Sequence, residues 1–146
     1  LLEERDVPPL LHINERVGHA YAGKGQLGPQ EAYALAEAHP GLRLILAHWG
    51  GGLPFYELMP SARSALANVW YDTAASPLLY DDRILGQVTS WAPRKVLFGT
   101  DFPLLTQRRF VQRVLGQGLA TEQLQQLMAG NLADALGRSL PGSKFS

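Results

Sequence analysis

Four ionisable residues stand at the ends of short apolar stretches in this chain of 146 residues: His12, His48, Asp72 and Asp101. Imidazole nitrogens and carboxylate oxygens are ligands that suit Zn²⁺, Mn²⁺ or Fe²⁺. Three protein ligands leave a position for water, and a bound metal lowers the pKa of that water to about 7. A carboxylate beside the water can accept its proton, and a neighbouring imidazole can stabilise or protonate the developing oxyanion. With His12, His48 and Asp101 as ligands, this is the outline of a hydrolase or lyase.

Each of these residues ends a segment that we predict to be a strand. The run Leu44 to Ala47 is too short for a free-standing helix and lacks the alternation of a half-exposed strand. It therefore predicts a strand covered on both faces, which is typical of a parallel sheet. Similar buried strands are predicted at 10–13, 69–71 and 95–98, and helices at 29–39, 54–67, 81–91, 106–116 and 121–137. The helix at 54–67 is expected to bend or restart at Pro60, because proline lacks a backbone donor. Thr106 and Thr121 are the predicted N-caps of the last two helices.

Four strands that alternate with helices in units of roughly thirty residues predict an α/β fold with parallel topology. A full (β/α)₈ barrel needs roughly 250 residues, so this chain corresponds to about half of one. We therefore expect the carboxyl half of a barrel, with residues 1–138 as a single half-barrel domain and 139–146 as a peripheral tail. Two strand edges of such a piece would carry unpaired backbone groups. This predicts either a fragment of a longer protein or a half-barrel that associates with another chain. The expected partner is therefore a second copy of the chain, in a homo-oligomer, or a missing amino-terminal half.

Composition excludes several classes of function. The chain has no cysteine, which excludes disulfides, thiolate metal sites and cysteine nucleophiles and fits a reducing cytoplasm. Thirteen basic and thirteen acidic residues balance, so the net charge gives no reason to expect nucleic acid or an anionic membrane surface as a partner. No apolar stretch approaches the ~20 residues of a membrane span. We expect a cytoplasmic protein that binds a small-molecule substrate.

The segments HINERVGH, LILAHWGGGLPF, VWYDTAAS and VLFGTDFP resemble the later strands of the amidohydrolase superfamily, in particular its amidohydrolase-2 branch. The resemblance covers nearly the whole chain, and MAGNLADALG is similar to the closing helix of that family. It implies a metal-dependent TIM-barrel enzyme in which His12 and Asp101 bind the metal. It also implies that His48 either binds the metal or holds the attacking water or substrate. Zn²⁺ is the expected ion, with Mn²⁺ or Fe²⁺ as alternatives.

The sequence departs from the family pattern in one respect. The first strand of the family carries a His-x-His pair that supplies two further ligands, and the histidines of this chain, at 12, 19, 39 and 48, include no such pair. Either His12, His48 and Asp101 alone hold a metal weakly, or the missing ligands come from sequence removed by truncation or proteolysis, or from a second chain.

Other polar residues have both a functional and a structural interpretation. His19 and Lys24 lie in a glycine-rich loop, where they either contact an anionic substrate group or are solvated surface residues. Asp72 either lies next to the substrate and supports the site by hydrogen bonding, or is a turn residue. Glu15 and Arg16 are expected to pair with each other.

Two classes of function remain open. The first is a metal-dependent hydrolase that acts on a small polar substrate through a metal-activated water, or a decarboxylase of the same family. Asp101 and His48 would be its catalytic residues. The second is a non-catalytic half-barrel whose role is to associate with another chain.

Overall fold

The computed structural model describes residues 7–18, 20–22 and 24–138. The sheet has four parallel strands in the order β1-β2-β3-β4, so each strand pairs with the next one along the chain. The strands are β1 Leu10–Leu11, β2 Leu44–Leu46, β3 Val69–Asp72 and β4 Val96–Leu97. Helices connect them, which confirms the predicted α/β architecture of a partial TIM barrel.

The helical elements are short, and several follow each other without an intervening strand. They are α1 Pro29–Ala38, a 3₁₀ segment His48–Leu58, α2 Pro60–Arg63, α3 Ser76–Leu79, α4 Arg83–Trp91, α5 Gln107–Leu115, α6 Thr121–Gln125, a π-helical turn Gln126–Gly130 and α7 Asn131–Ala135. The predicted tail at 139–146 lies outside the described residues.

Alternate side chains of the strands enter two different layers of the core, because successive residues of a strand point to opposite faces. One layer holds Leu44, Leu46 and Tyr71 together with Ala32 and Ala36 of α1. The opposite layer consists of Ile45, Trp70, Leu97 and Ala135. Burial on both faces explains the uninterrupted apolar run of β2.

The helix predicted at 54–67, with a bend or restart at Pro60, is two separate elements that divide at this proline. Residues Trp49 to Gly52 all have positive φ, between 55° and 94°, so the chain turns sharply before it forms the rest of the 3₁₀ segment. Pro60 then starts α2, because proline lacks the N–H that a continuing helix requires.

The two predicted threonine caps do not form. Thr106 occupies the N-cap position of α5, but its side chain makes no capping hydrogen bond. Thr121 is the first residue inside α6, and the backbone N–H of Ala120 donates to the side chain of Gln123 at 3.0 Å instead.

The two edges of the sheet differ, whereas the sequence predicts that both are open. Lys95 and Leu97 accept hydrogen bonds from β3, so the backbone groups of Val96 and Phe98 point away from it. Two of these outward groups are satisfied within the chain: Phe98 N–H donates to the Leu127 carbonyl at 3.0 Å, and Asn131 Nδ2 donates to the Val96 carbonyl at 2.7 Å. The carboxyl-terminal helical region therefore closes the β4 edge.

The other edge strand, β1, is less buried than its apolar sequence predicts. Leu10 is 63% exposed because it lies in an edge strand. The exposed apolar edge is thus on the β1 side of the sheet.

Candidate active site at the carboxyl ends of the strands

His12 and His48 meet where β1 and β2 end. His12 Nδ1 lies 3.3 Å from His48 Nε2, and the two rings cross edge to face with their centroids 4.7 Å apart. His48 is buried and has a positive φ of 56°, which an ordinary residue adopts only where the surrounding structure holds it. The structure thus brings together two of the predicted metal ligands.

The protonation of the His48 ring is fixed by its neighbours. Its Nδ1 lies 3.1 Å from the carbonyl oxygen of Ala74, and a carbonyl can only accept a hydrogen bond. Nδ1 therefore carries the proton, and in the neutral ring Nε2 has a free lone pair. This lone pair points at His12.

His12 lies between two acceptors. Its Nε2 is 3.1 Å from Asn14 Oδ1, which also accepts from Gly25 N–H at 3.2 Å and from the hydroxyl of Tyr21 at 2.9 Å. Its Nδ1 faces the lone pair of His48. A neutral imidazole has one N–H for these two acceptors, so only one of the two contacts can be a hydrogen bond donated by His12. With the N–H on Nε2, toward Asn14, both His12 Nδ1 and His48 Nε2 would keep their lone pairs.

The spacing of the two imidazole nitrogens can be compared with that of two metal ligands. Two nitrogens bound to one tetrahedral Zn²⁺ at about 2.0–2.1 Å lie roughly 3.3 Å apart. The separation between His12 Nδ1 and His48 Nε2 is 3.3 Å, so the donor chemistry and the spacing suit two ligands of a divalent metal. The predicted ligand types fit at these two positions.

Asp72 holds the backbone of this site in place. Its Oδ1 accepts from the N–H of His48 and from the N–H of Ala74, both at 2.9 Å. Burial raises the pKa of the Asp72 carboxyl, and the two backbone hydrogen bonds oppose that rise. Asp72 thus fixes both the residue that carries the imidazole and the residue whose carbonyl orients the ring. We call His12, Asn14, His48 and Asp72 the mouth cluster.

The turn that follows His48 requires glycine because it passes close to the backbone of Asn14. Gly51 has a φ of 62°, and a Cβ atom there would lie 2.9 Å from the backbone oxygen of Asn14. Any other residue would push the turn away from the mouth cluster.

Asp101 lies at the end of β4, apart from the imidazole pair. It is exposed and has a positive φ of 59°. Its charge contributes to the raised pKa of Asp72, after the larger effect of burial. Within residues 7–18, 20–22 and 24–138, no three His, Asp or Glu side chains form a group that could hold a metal ion. The role of Asp101 as a third ligand therefore stays a prediction.

The predicted substrate-binding residues of the glycine-rich loop have different outcomes. His19 lies outside the described residues. Lys24 Nζ donates to the carbonyl of Val17 at 3.0 Å and lies 5.6 Å from the ring centroid of Tyr21. These contacts tie Lys24 to its own loop, and its contact with a substrate stays a prediction.

The predicted pair between Glu15 and Arg16 does not form. Glu15 accepts from the hydroxyl of Tyr80 at 2.9 Å, and Arg16 pairs with Glu31 at the start of α1. Adjacent residues after a strand point in different directions, so each finds a partner far along the chain. Tyr80 was not predicted, and neither was the role of Asn14, because their partners are distant in sequence.

Comparisons with known proteins agree with this geometry. Residues 1–138 match the sequence profile of the amidohydrolase family. A comparison with curated proteins finds no match. In the described part of the chain, no helix is long and apolar enough to cross a membrane.

Several solved structures are similar in fold at low sequence identity. The 5-carboxyvanillate decarboxylase of Sphingomonas paucimobilis aligns with a TM-score of 0.70 and 14% identity over 94% of this chain and 51% of its own. A dihydroxybenzoic acid decarboxylase of Polaromonas, with bound manganese and 2-nitroresorcinol, aligns with a TM-score of 0.66 and 18% identity over 99% of this chain and 54% of its own. Amidohydrolase 2 of Bifidobacterium longum aligns with a TM-score of 0.58 and 20% identity over 94% and 52%.

The chain thus spans about half the length of the solved structures it resembles. The family match, in contrast, runs over nearly all of its sequence, and the four parallel strands carry the motifs that prompted the resemblance. On these grounds, the chain belongs to the amidohydrolase family, in its amidohydrolase-2 branch.

Proposed function

We propose that this chain provides the carboxyl-half portion of a metal-dependent active site that acts on a small polar substrate. The observation that carries the proposal is the approach of His12 Nδ1 to His48 Nε2 at 3.3 Å, with the other nitrogen of His48 directed at the Ala74 carbonyl. Two unprotonated nitrogens at this distance repel unless a cation lies beside both of them. Zn²⁺ is the ion we propose, and Mn²⁺ is the alternative that the manganese-bound relative supports.

The residues of this chain would then have separate roles at the site. His12 and His48 would hold the ion, and Ala74 and Asp72 keep the His48 ring and backbone in the orientation this requires. Asp101 would act as a further ligand or as the base that accepts a proton. When bound, the ion supplies Lewis-acid polarisation of a substrate oxygen and lowers the pKa of water.

Two reactions are compatible with this site. Hydrolysis of an amide or lactone uses Asp101 as the proton acceptor. Decarboxylation requires a proton to be delivered to the carbon that loses CO₂. The similarity to two decarboxylases favours the second reaction as the first to test.

Metal binding tests the shared part of the proposal. Isothermal titration calorimetry of the purified chain with Zn²⁺ and with Mn²⁺ is expected to show one ion bound per chain. His48→Ala should abolish binding, and Asp101→Asn should weaken it. His39→Ala is the matched control, because His39 lies at the end of α1, away from the strand ends. Equal binding by the wild type and His48→Ala would refute the proposal.

Product analysis separates the two reactions. The metal-loaded protein is incubated with hydroxylated aromatic carboxylates and, separately, with lactones and amides. Release of CO₂ from the first group supports decarboxylation, and acid formation from the second supports hydrolysis.

We also propose that the sheet is completed by another polypeptide, either an amino-terminal half or a second copy of this chain. The exposed β1 edge and the half-length alignments support this. Light scattering on the purified chain tests the second copy: a dimer is expected, and a stable monomer would leave the amino-terminal half as the partner.

A further inference from the structure

We propose that Asn14 is a positioning residue that determines which nitrogen of His12 carries the proton. This inference rests on the proposed function, because His12 Nδ1 needs to be unprotonated only if the site binds a cation. The geometry that supports it is independent of that function. It concerns a residue that lies two positions after His12 and is 3% exposed.

The Asn14 amide group has one orientation only. Its oxygen receives the backbone N–H of Gly25 at 3.2 Å and the Tyr21 hydroxyl at 2.9 Å, while its Nδ2 lies 3.4 Å from the carbonyl of Leu27. A flipped amide would place its NH₂ group against the Gly25 N–H, and two donors cannot satisfy each other. Asn14 therefore presents an acceptor to His12.

The backbone of Asn14 is fixed as well. Its N–H donates to the carbonyl of Leu27 at 2.9 Å, so one residue is tied to the glycine-rich loop through both its main chain and its side chain. The loop, which has neither helix nor strand over the described residues between β1 and α1, thus sets the position of the Asn14 oxygen.

This acceptor competes with His48 for the single N–H of neutral His12. If Nε2 is protonated, His12 donates to Asn14 and leaves Nδ1 free toward His48 Nε2. If Nδ1 is protonated, it donates to His48 and blocks the nitrogen that faces the partner imidazole. Asn14 favours the first state, because its oxygen is held as an acceptor by Gly25 and Tyr21 and lies 3.1 Å from Nε2 of His12.

Without Asn14 the preference should reverse. A leucine at position 14 has a similar size but no acceptor, so His48 becomes the side-chain partner of His12 within hydrogen-bond distance. His12 Nδ1–H would then donate to His48 Nε2, and these two nitrogens would no longer both be free for a metal.

The first measurement is the tautomer of His12, read from its ring ¹⁵N chemical shifts in the metal-free chain. At about pH 8.5 histidine is neutral, because its ordinary pKa is about 6.5. We expect the Nε2–H form in the wild type and the Nδ1–H form in Asn14→Leu. Asn14→Asp should keep the Nε2–H form, because a carboxylate oxygen accepts the same hydrogen bond.

The second measurement is the affinity for Zn²⁺. Loss of a residue that orients a ligating histidine weakens metal binding by roughly 10- to 100-fold. We expect a loss of that size in Asn14→Leu and substantial rescue in Asn14→Asp. Asn68→Leu is the matched control, because Asn68 also donates to a backbone carbonyl, that of Pro40, but lies at the opposite ends of the strands.

The outcomes distinguish this inference from the proposed function. A wild type with the Nδ1–H form of His12, or an unchanged tautomer in a folded Asn14→Leu, would overturn the positioning role. If Asn14→Leu does not fold, Asn14→Asp decides, and an Nδ1–H form of His12 in that variant overturns the role. Failure of the wild type to bind Zn²⁺ or Mn²⁺ counts against the proposed function, and the tautomer then decides the role of Asn14 alone.

Discussion

Two polar clusters of the molecule differ in how well their donors and acceptors match. In the mouth cluster, at the carboxyl ends of the strands, a nitrogen of His12 and a nitrogen of His48 lie 3.3 Å apart. The second cluster, which we call the base cluster, consists of Glu57, Tyr71 of β3 and Lys95, the residue before β4. There the hydroxyl of Tyr71 donates to Glu57 at 2.8 Å, and Lys95 Nζ lies 3.9 Å from the same carboxylate.

The base cluster satisfies its own charges. Lys95 Nζ also donates to the carbonyls of Leu66 and Ala67, at 2.6 and 2.7 Å. Burial raises the pKa of Glu57 and lowers that of Lys95, and the attraction between the two opposes both shifts. The donors and acceptors of the base cluster are thus matched within the chain. The mouth cluster instead places a nitrogen of His12 against a nitrogen of His48, which is the arrangement on which the proposed cation site rests.

The largest expected effect on stability is in the base cluster. Lys95→Met removes the ammonium group, which leaves the carbonyls of Leu66 and Ala67 without their donor and the Glu57 carboxylate without its neighbouring positive charge. We expect the free energy of unfolding to fall by about 3 kcal/mol, as for the loss of one partner of a buried ion pair. Urea unfolding followed by circular dichroism measures the change, and an unchanged affinity for Zn²⁺ would show that the two clusters are independent.

Asp72→Ala should have the next largest effect. It removes the acceptor of two backbone N–H groups, those of His48 and Ala74, and we expect a loss of about 2 kcal/mol. Asp72→Asn keeps an oxygen acceptor and should cost less. The same unfolding experiment compares the two variants, and equal losses would contradict the assignment of the hydrogen bonds as the cause.

His12→Ala tests the opposite expectation, that the mouth cluster does not stabilise the fold. His12 is exposed and faces an acceptor it does not satisfy, so its removal should change the free energy of unfolding by less than about 1 kcal/mol. Zn²⁺ should raise the melting temperature of the wild type but not of this variant. A large loss of stability in metal-free His12→Ala would remove the contrast between the clusters.

The smallest effect is a change in pH dependence. Because the pKa of Glu57 is raised in the folded state above its ordinary value of 4.5, its contribution to stability is full below that value. The contribution is lost as the pH rises through the folded pKa. Glu57→Gln cannot ionise, so its stability should fall less steeply over this interval.

Unfolding free energies measured between about pH 4 and pH 8 compare the two proteins. Asp72, whose pKa is also raised by burial, leaves some slope in the variant. Identical slopes would contradict the position of Glu57 in the buried base cluster.

The strand ends could be predicted because the signal for them is local. The run before His48 is apolar without alternation, and glycines follow it, so both the strand and its polar end are visible in the sequence. The same holds for β3 and β4. The pairing of His12 with His48 followed from parallel topology, since the carboxyl ends of neighbouring strands lie side by side.

Other features depend on contacts between distant residues and could not be predicted. The closure of the β4 edge requires Leu127 and Asn131 to return to a strand some thirty residues earlier in the chain. Glu15 has no local pattern that indicates Tyr80 as its partner.

By itself, the sequence determined the order and type of the main elements and the kinds of side chain at the strand ends, because hydrophobic period and turn residues act over a few positions. Only the tertiary structure decided the protonation of the two imidazoles. That property depends on which acceptor each ring nitrogen meets, Ala74 for His48 and Asn14 for His12, and on the loop that fixes Asn14. Hydrogen bonds are directional and short, so the chemistry of the mouth cluster exists only once these residues lie together.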